Sequence, residues 1–296
     1  MNISPAALAL NIANFRSQAL NGLMNSSHGA KRGAGAADIF SLPSQDSEAA
    51  DPLAMLTQGS SVKELSSTGR NMSLFDPESA FKMMSVINDK DVTYKAQFAE
   101  LSKMQTAVAQ MQNAGQSLGG ITTDTGNDSI QAQLQAFVDQ YNQWVQQFNP
   151  DMEKGGLLAN TQAAQISRYE LSQSIENSFN GAMKGMHGLR DLGISIDHAT
   201  QLATLDTSKL DAVLSANKEG AVDAVQEFSA NFAKSAKLLT SDGNFIPSQL
   251  KNLNSAIHYI TDHKVDLQAE FGTGNPAKPT GQVAQALAAY NRVHSI

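Results

Sequence analysis

Two short patterns in the middle of the sequence could support catalysis or ion binding. Asp124-Thr125-Gly126 matches the core triplet of aspartic proteases, whose chemistry requires two carboxylates that share one proton. Only one such triplet occurs, and helical patterns flank it on both sides, so we prefer a turn of Asp, Asn and Gly residues. The same stretch, continued to Asp128, lacks the alternating carboxylates and the closing Glu of a calcium loop. We therefore expect a solvated turn.

The histidines and one glycine-rich segment give no stronger signal for chemistry. His258 and His263 are five residues apart and would lie about 140° apart around a helix, which is too far to share a metal ion. Segment 181–188 (GAMKGMHG) has the wrong spacing to Lys184 for a phosphate-binding loop, and no strand precedes it. It is better interpreted as a helix end followed by a turn. The sequence predicts no catalytic residue, no metal, no cofactor and no small-molecule substrate.

Composition excludes several classes of protein. The 296 residues include 21 Lys and Arg against 28 Asp and Glu, which gives a net charge of −7, and no cysteine. This charge argues against nucleic acid as the main partner, because phosphate binding requires a concentrated positive surface. The absence of cysteine excludes disulfides, thiolate catalysis and cysteine-ligated metals. No apolar run approaches the roughly 18 residues of a membrane span, and the N-terminus lacks the basic stretch of a Sec signal peptide.

The first quarter of the chain divides into two segments of different character. Ser4-Pro5 is typical of a helix start, and apolar residues then recur at helical spacing, which predicts an amphipathic helix within residues 1–24. Residues 25–75 are small, polar and interrupted by Gly and Pro. Such a composition offers little apolar area to offset chain entropy, so we expect a flexible linker.

Two long helices are predicted next. The pair Asp76-Pro77 opens the first, with Phe81, Met84 and Val86 expected to point inward. A heptad seam follows in which Gly115 fills one position; its members are Leu101, Met104, Val108, Met111 and Leu118. After a turn at 119–128, the second helix carries an apolar row that steps by three or four residues without a miss: Ile130, Leu134, Phe137, Tyr141, Trp144 and Phe148. We expect it to end at Asn149-Pro150, since residues before proline avoid helical angles.

The remaining chain predicts shorter elements. A helix is expected over Thr161–Met183, with its apolar residues inward: Ile166, Tyr169, Ile175 and Phe179. Residues 189–206 favour a small pair of strands, and helices follow over 208–214, 218–239 and from Ile246-Pro247 onward. The segment 272–279 (GTGNPAKP) breaks this last helix, and residues 281–293 are weakly helical.

Together these elements predict a mainly α protein, an elongated helical bundle or coiled-coil stalk with a small β-hairpin near 189–206. The stalk domain would span residues 76–271, followed by a C-terminal tail with a short helix over 272–296. Its long helices carry little charge, which suits packing against copies or partners. The residues predicted to pack or interact are Leu101, Met104, Val108, Leu134, Phe137, Tyr141, Trp144 and Phe148.

Three motifs between residues 130 and 240 carry a resemblance to a known family. FVDQYN at 137–142 is similar to a family helix, and GGLLANT at 155–161 is similar to a turn that opens the next helix. The third motif combines LGISID with LDTSKLDAVLSAN, over 192–197 and 205–217. These stretches resemble the C-terminal domain of the flagellar filament-capping protein family, hook-associated protein 2. The family's turn normally holds Gly where this chain has residues 198–201, and its large inserted domains are reduced to the turn at 119–128.

The resemblance implies a structural, non-enzymatic assembly protein. It implies export through a flagellar-type channel to the extracellular flagellum, and packing as a homo-oligomer or against axial flagellar proteins. Two alternatives remain open. One is a cytoplasmic chaperone-like or regulatory binding protein that uses the same helical domain. The other is a secreted effector or hydrolase, for which the sequence offers no convergent polar residues.

Overall fold

The computed structural model describes residues 65–178 and 185–294. Within these ranges the chain is mainly α-helical with one small antiparallel sheet, which confirms the predicted fold class. The elements in chain order are α1 (Pro77–Ser117), α2 (Asn127–Met152), α3 (Gln162–Glu176), β1 (Ile194–Ile196), β2 (Ala203–Leu205), α4 (Thr207–Thr240), α5 (Phe245–Asp262), α6 (Lys264–Phe271) and α7 (Gly281–His294). The predicted N-terminal helix and most of the predicted linker lie outside the described residues.

The described residues form two compact units, each built from separate stretches of chain. Unit 1 contains the residues up to Val92 together with Ser255–Pro279, and unit 2 contains Thr93–Asn254 together with the residues from Thr280 onward. Both α1 and α5 therefore contribute residues to each unit. The division into 1–24, 25–75, 76–271 and 272–296 that the sequence predicts stays a prediction.

Helix α1 begins where the Asp76-Pro77 pair predicts. The Asp76 carboxylate accepts a hydrogen bond from the Ser79 amide at 3.0 Å, and its hydrogen bonds with Ser79 lower the pKa of Asp76. Phe81 and Met84 are buried as expected, but Val86 is 53% exposed. The prediction for Val86 was wrong because a residue two positions after Met84 points about 200° away around the helix.

Helix α2 does not end at Asn149-Pro150, so that prediction was also wrong. It continues through Pro150 to Met152 and ends when the amide of Glu153 bonds to the Asn149 carbonyl at 3.0 Å. Asp151 and Met152 are buried. Burial of this last turn outweighs the disfavoured backbone angle before proline, which is a modest local preference.

Helix α3 is shorter than predicted and buries a different face. It ends at Glu176, because Asn177 is extended (φ −59, ψ 136). Tyr169, expected inward, is 61% exposed, whereas the side chains buried along this helix are mostly small: Ala163, Ala164, Ser167, Leu171, Ser172, Ser174 and Ile175. The inward assignment of Tyr169 was therefore wrong. Ile166 is half-buried, and Phe179 lies outside the described residues.

The predicted strand pair is confirmed. Strands β1 and β2 are antiparallel, with Ser195 opposite Thr204. The turn between them is stabilised by Asp197, whose carboxylate accepts the amides of Ala199 and Thr200, both at 2.8 Å. These backbone hydrogen bonds lower the pKa of Asp197.

Helix α4 consists of two helical segments that meet at Asn217, as the two predicted helical patterns require. Asn217 leaves the helical conformation (φ −152, ψ 66), and its side-chain oxygen accepts the amide of Gly220 at 3.0 Å, so it caps the second segment. Apolar residues at helical spacing along α4 and α5 are buried, and Leu250 is half-buried. The buried residues are Val222, Val225, Phe228, Phe232, Leu253, Ile257 and Ile260.

Gln201 ends the hairpin turn in the left-handed region, with φ 62. A side chain with a Cβ atom is disfavoured there by about 1–2 kcal/mol, whereas glycine is not. We expect Gln201→Gly to raise the free energy of unfolding by about 0.5–1 kcal/mol, less than the full strain because glycine gains entropy in the unfolded chain. Urea unfolding followed by circular dichroism measures the change.

The matched control is Gln201→Ala, which also removes the hydrogen bond from the Gln201 side chain to the His198 carbonyl but keeps a Cβ atom. It should not stabilise the chain. Equal stabilisation by both variants would contradict the assignment of strain to this backbone angle.

Candidate packing site

A row of large side chains on α2 forms the centre of unit 2. The ring of Phe137 meets the rings of Phe228 and Phe232 nearly edge-on, with centroids 5.2 and 5.0 Å apart. Such edge-to-face pairs contribute about 0.5–1.5 kcal/mol each beyond their buried area. Each residue of the row is at most 2% exposed. The row consists of Leu134, Phe137, Tyr141, Trp144 and Phe148.

The one hydroxyl in this row is unsuited to proton transfer. Tyr141 is buried, and burial raises the pKa of its hydroxyl well above the ordinary value. The negative charge of Glu176 raises this pKa further, and Arg168 lowers it only in part. The phenol therefore stays neutral near pH 7, and it acts as a large packing group.

The seam on α1 is also internal. Leu101, Met104, Val108 and Met111 are fully buried. At the next position of the seam, a Cβ atom added to Gly115 would overlap the ring of Phe232. Glycine fills this position because the ring of Phe232 occupies the space that a side chain would need.

All eight residues predicted for packing or interaction lie in unit 2 and are covered by the chain itself: Leu101, Met104, Val108, Leu134, Phe137, Tyr141, Trp144 and Phe148. Contact of these side chains with another molecule would require the unit to open. The heptad pattern thus located residues of the intramolecular core. Their role toward other subunits stays a prediction.

The turn between α1 and α2 is fixed to α4 by side chains that the sequence analysis did not single out. Gln226 donates to the carbonyl of Ile121 at 2.7 Å, and Lys218 donates to the carbonyl of Thr125 at 2.6 Å. Ile121 is itself fully buried. The triplet Asp124-Thr125-Gly126 accordingly belongs to a turn that precedes α2, as expected, and not to a strand.

The motif residues 137–142 and 192–206 support one another structurally. Asn142 donates to the carbonyl of Ala203 at 2.9 Å and accepts the Ala203 amide at 2.7 Å, so it satisfies both backbone groups of this residue in β2. Gly193 has φ 89, and a Cβ atom there would lie 2.7 Å from the Asp206 carbonyl. Asp206 caps α4 by accepting the amide of Lys209 at 3.0 Å. These residues build the hairpin and none is arranged for catalysis.

A buried acidic pair lies near the end of α2. Asp151 and Glu100 are each 7% exposed, and Lys103 forms an ion pair with Glu100 at 2.7 Å. Burial and, to a smaller extent, the charge of Glu100 raise the pKa of Asp151 to about 6, and the charge of Lys103 opposes them. Charging Asp151 therefore works against the folded state.

The remaining sequence candidates for chemistry do not assemble into a site. His263 lies between α5 and α6 and stacks on Tyr259, with ring centroids 4.4 Å apart. Among residues 65–178 and 185–294, no three His, Asp or Glu side chains cluster so that they could hold a metal ion. No helix within those ranges is long and apolar enough to cross a membrane. Residues 181–184 of the segment 181–188, including Lys184, lie outside the described residues.

Gly115→Ala tests the contact between α1 and Phe232. Alanine favours helix by about 1 kcal/mol over glycine, but overlap with a buried ring typically costs about 1–3 kcal/mol. We expect a net loss of up to about 2 kcal/mol in the free energy of unfolding, measured by urea denaturation. Gly120→Ala is the control, because a Cβ atom there meets nothing within 4 Å. Stabilisation by Gly115→Ala would contradict the proposed fit.

Asp151→Asn tests the cost of the buried acid. The pKa of Asp151 is higher in the folded than in the unfolded chain, so its stabilising contribution is complete below about pH 4 and is lost as the pH rises through about 6. We expect the variant to match the wild type near pH 4 and to exceed it at pH 7 by up to about 3 kcal/mol, the value that corresponds to the pKa difference. Chemical denaturation across this pH range measures it.

Asp139→Asn is the matched control, since Asp139 is exposed on the same helix. It should leave the pH dependence of unfolding unchanged. If Asp151→Asn also leaves that pH dependence unchanged, the buried carboxylate does not limit the stability of unit 2.

Comparison with known proteins identifies the family of this fold. The family model described as flagellar hook-associated protein 2 C-terminus matches residues 109–274, which is more than half of the chain. No curated protein matches the chain. Among solved structures, it is similar to the D1-D2-D3 domains of the flagellar cap protein FliD from Escherichia coli, at 19% sequence identity and a TM-score of 0.39.

That structural match covers 43% of this chain and 37% of the other, so this chain spans well under two thirds of the FliD chain. At this TM-score the likeness supports no conclusion. The family assignment depends instead on the match over 109–274, which contains all three motifs and the hairpin they build. The chain therefore belongs to the flagellar hook-associated protein 2 C-terminal family.

Proposed function

We propose that this chain is a structural subunit of the bacterial flagellum, similar in role to a filament cap, and that it has no enzymatic activity. The observation that carries the proposal is the family match over residues 109–274. It is supported by the motif residues Gly193, Asp197 and Asp206, whose side chains and backbone stabilise turns and helix starts. A site whose side chains fix turns and helix starts in this way suits a mechanical part.

We further propose that unit 2 serves as a rigid body that presents its surface to copies of itself or to axial flagellar proteins. The apolar row on α2 is buried inside unit 2, so other side chains must form the contacts between subunits. Among its described residues, unit 2 exposes four large apolar side chains that are available for such contacts: Tyr169, Leu238, Phe245 and Val293. Leu238 and Phe245 flank the turn between α4 and α5, which makes this turn the first surface to test.

The proposed destination is the extracellular flagellum, reached through a flagellar-type export channel. Such a channel requires an unfolded chain, and the absence of cysteine removes any cross-link that would hinder threading. The buried Asp151 acts in the same direction, because its ionisation lowers the stability of the fold near neutral pH.

Fractionation tests the location. A tagged chain is expressed in a flagellated strain and in an otherwise identical strain whose flagellar export channel is inactive. We expect the chain in the sheared extracellular filament fraction of the first strain and only in the cytosol of the second. Purely cytosolic protein in the export-competent strain would favour the alternative, a cytoplasmic chaperone-like or regulatory binding protein.

Light scattering tests self-association over a wide range of concentration. We expect the purified chain to show concentration-dependent assembly that is weakened by Leu238→Ser together with Phe245→Ser. The matched control is Val86→Ser, which removes an exposed apolar side chain from unit 1. A monomer at every concentration, together with failure to capture any axial protein, would contradict the proposed assembly role.

A further inference from the structure

Unit 1 is closed by a polar contact between two stretches of chain that are far apart in sequence. Residues 69–88 and 269–275 meet through side chains and backbone of both stretches, with sequence separations of up to 204 residues. We call the two stretches together the clasp. They enclose a small apolar cluster whose buried members are Ala80, Met84, Leu267 and Phe271.

Asn71 closes the end of the short helix α6. Its side-chain amide donates to the carbonyls of Ala269 and Glu270 at 2.9 and 3.2 Å. These carbonyls belong to the last turn of the helix, where partners from outside the helix commonly complete the hydrogen bonding. The local cap at this end is Gly272, whose amide bonds to the Gln268 carbonyl at 2.9 Å, and a residue about 200 positions earlier adds two further hydrogen bonds to it.

Asn88 holds the segment that follows α6. It donates to the carbonyls of Thr273 and Asn275 at 3.1 and 2.8 Å, and the Asn275 amide donates to the Ser85 hydroxyl at 2.8 Å. The Thr273 amide donates to the carbonyl of Gly69 at 2.8 Å. The backbone of this irregular segment is therefore paired mainly by residues of α1 and of the turn before it.

Gly274 permits this close approach. It has φ 65, and a Cβ atom there would lie 2.5 Å from the amide nitrogen of Ser85 and 2.7 Å from the carbonyl carbon of Met84. Both atoms are backbone of α1 and cannot move aside. The segment 272–279, which interrupts the helical pattern, therefore packs closely against α1 at Gly274, where only glycine fits.

The clasp is weaker than unit 2 for physical reasons. Helix α6 has eight residues, and a helix shorter than about 12 residues is marginal on its own. The accepting residues Thr273 and Asn275 are exposed, so water competes for these hydrogen bonds. Helix α1, in contrast, continues to Ser117, and its later half is anchored by fully buried side chains such as Leu101 and Met104.

We propose that the clasp opens and closes as one cooperative unit while residues 93–254 stay folded. Opening releases α6 and segment 272–275 together, because each depends on residues 69–88 for its hydrogen bonds. It uncovers the apolar side of α1 around Ala80 and Met84, while α1 itself remains helical by continuity with unit 2. This switch in exposed surface is independent of the proposed role in the flagellum.

Hydrogen–deuterium exchange of the full chain at pH 7, followed by mass spectrometry, tests the proposal. In the wild type, peptides from 264–275 should exchange faster than peptides from 130–148 and 219–239. Asn88→Ala should speed exchange about tenfold throughout 264–275, including the amides of α6 that Asn88 does not contact, and leave unit 2 unchanged. Asn113→Ala is the control, since Asn113 is exposed on the same helix.

A second variant locks the clasp instead of weakening it. A Cβ atom at Gly69 would lie 3.2 Å from the Thr273 Cβ, slightly under the roughly 3.5–4.5 Å of disulfides, so Gly69→Cys with Thr273→Cys brings two thiols close enough to cross-link. Gly69 has φ 77, which disfavours any side chain, and this strain is present in both the oxidised and the reduced form of the same variant. The chain has no other cysteine. Exchange in 264–275 should slow at least tenfold in the oxidised form relative to the reduced form.

Three results would overturn the proposal. Faster exchange confined to 272–275 in Asn88→Ala would mean that the segment frays alone. Equal acceleration in both units would mean that the chain unfolds as a whole. Unchanged exchange of α6 after oxidation would mean that closure does not depend on the contact between the two stretches.

Discussion

The three rings of Phe137, Phe228 and Phe232 meet at the point where α1, α2 and α4 come together. Phe137 contacts both other rings at about 5 Å, and Gly115 leaves room for Phe232 on the third helix. Two further connections join parts of unit 2 to these helices. The turn at 118–126 is held to α4 by Gln226 and Lys218, and the hairpin is attached to α2 through Asn142.

Residue periodicity predicted the helices because burial of one apolar face determines where they form. The rows on α1 and α2 step by three and four residues and are covered along their whole length. The same logic located the strand pair and the two segments of α4. Periodicity does not reveal which molecule covers a row, and here the rows of α1, α2 and α4 are covered within one chain.

The errors come from interactions that leave no periodic signal. Helix α3 buries Ala163 and Ser167, small residues that allow its backbone to lie close to the neighbouring elements. Periodicity gives weight to large apolar residues, so Tyr169 was wrongly assigned to the core. Helix α2 runs past Pro150 because tertiary burial of Met152 outweighs a local preference. Asn142, Asn71 and Asn88 bond to backbone groups more than 60 residues away, and asparagine in a single sequence predicts only turns and caps.

The two units are stabilised by different kinds of interaction, and this difference has consequences. Unit 2 depends chiefly on apolar burial, and its stability varies with pH through buried ionisable groups such as Asp151. Unit 1 has a small apolar cluster and depends on hydrogen bonds from asparagine side chains to backbone, each worth only about 1 kcal/mol net in competition with water. With these interactions, unit 2 stays rigid while little free energy is needed to open the clasp in unit 1. Because α1 belongs to both, opening of the clasp changes the exposed surface of a helix whose position is already fixed at its other end.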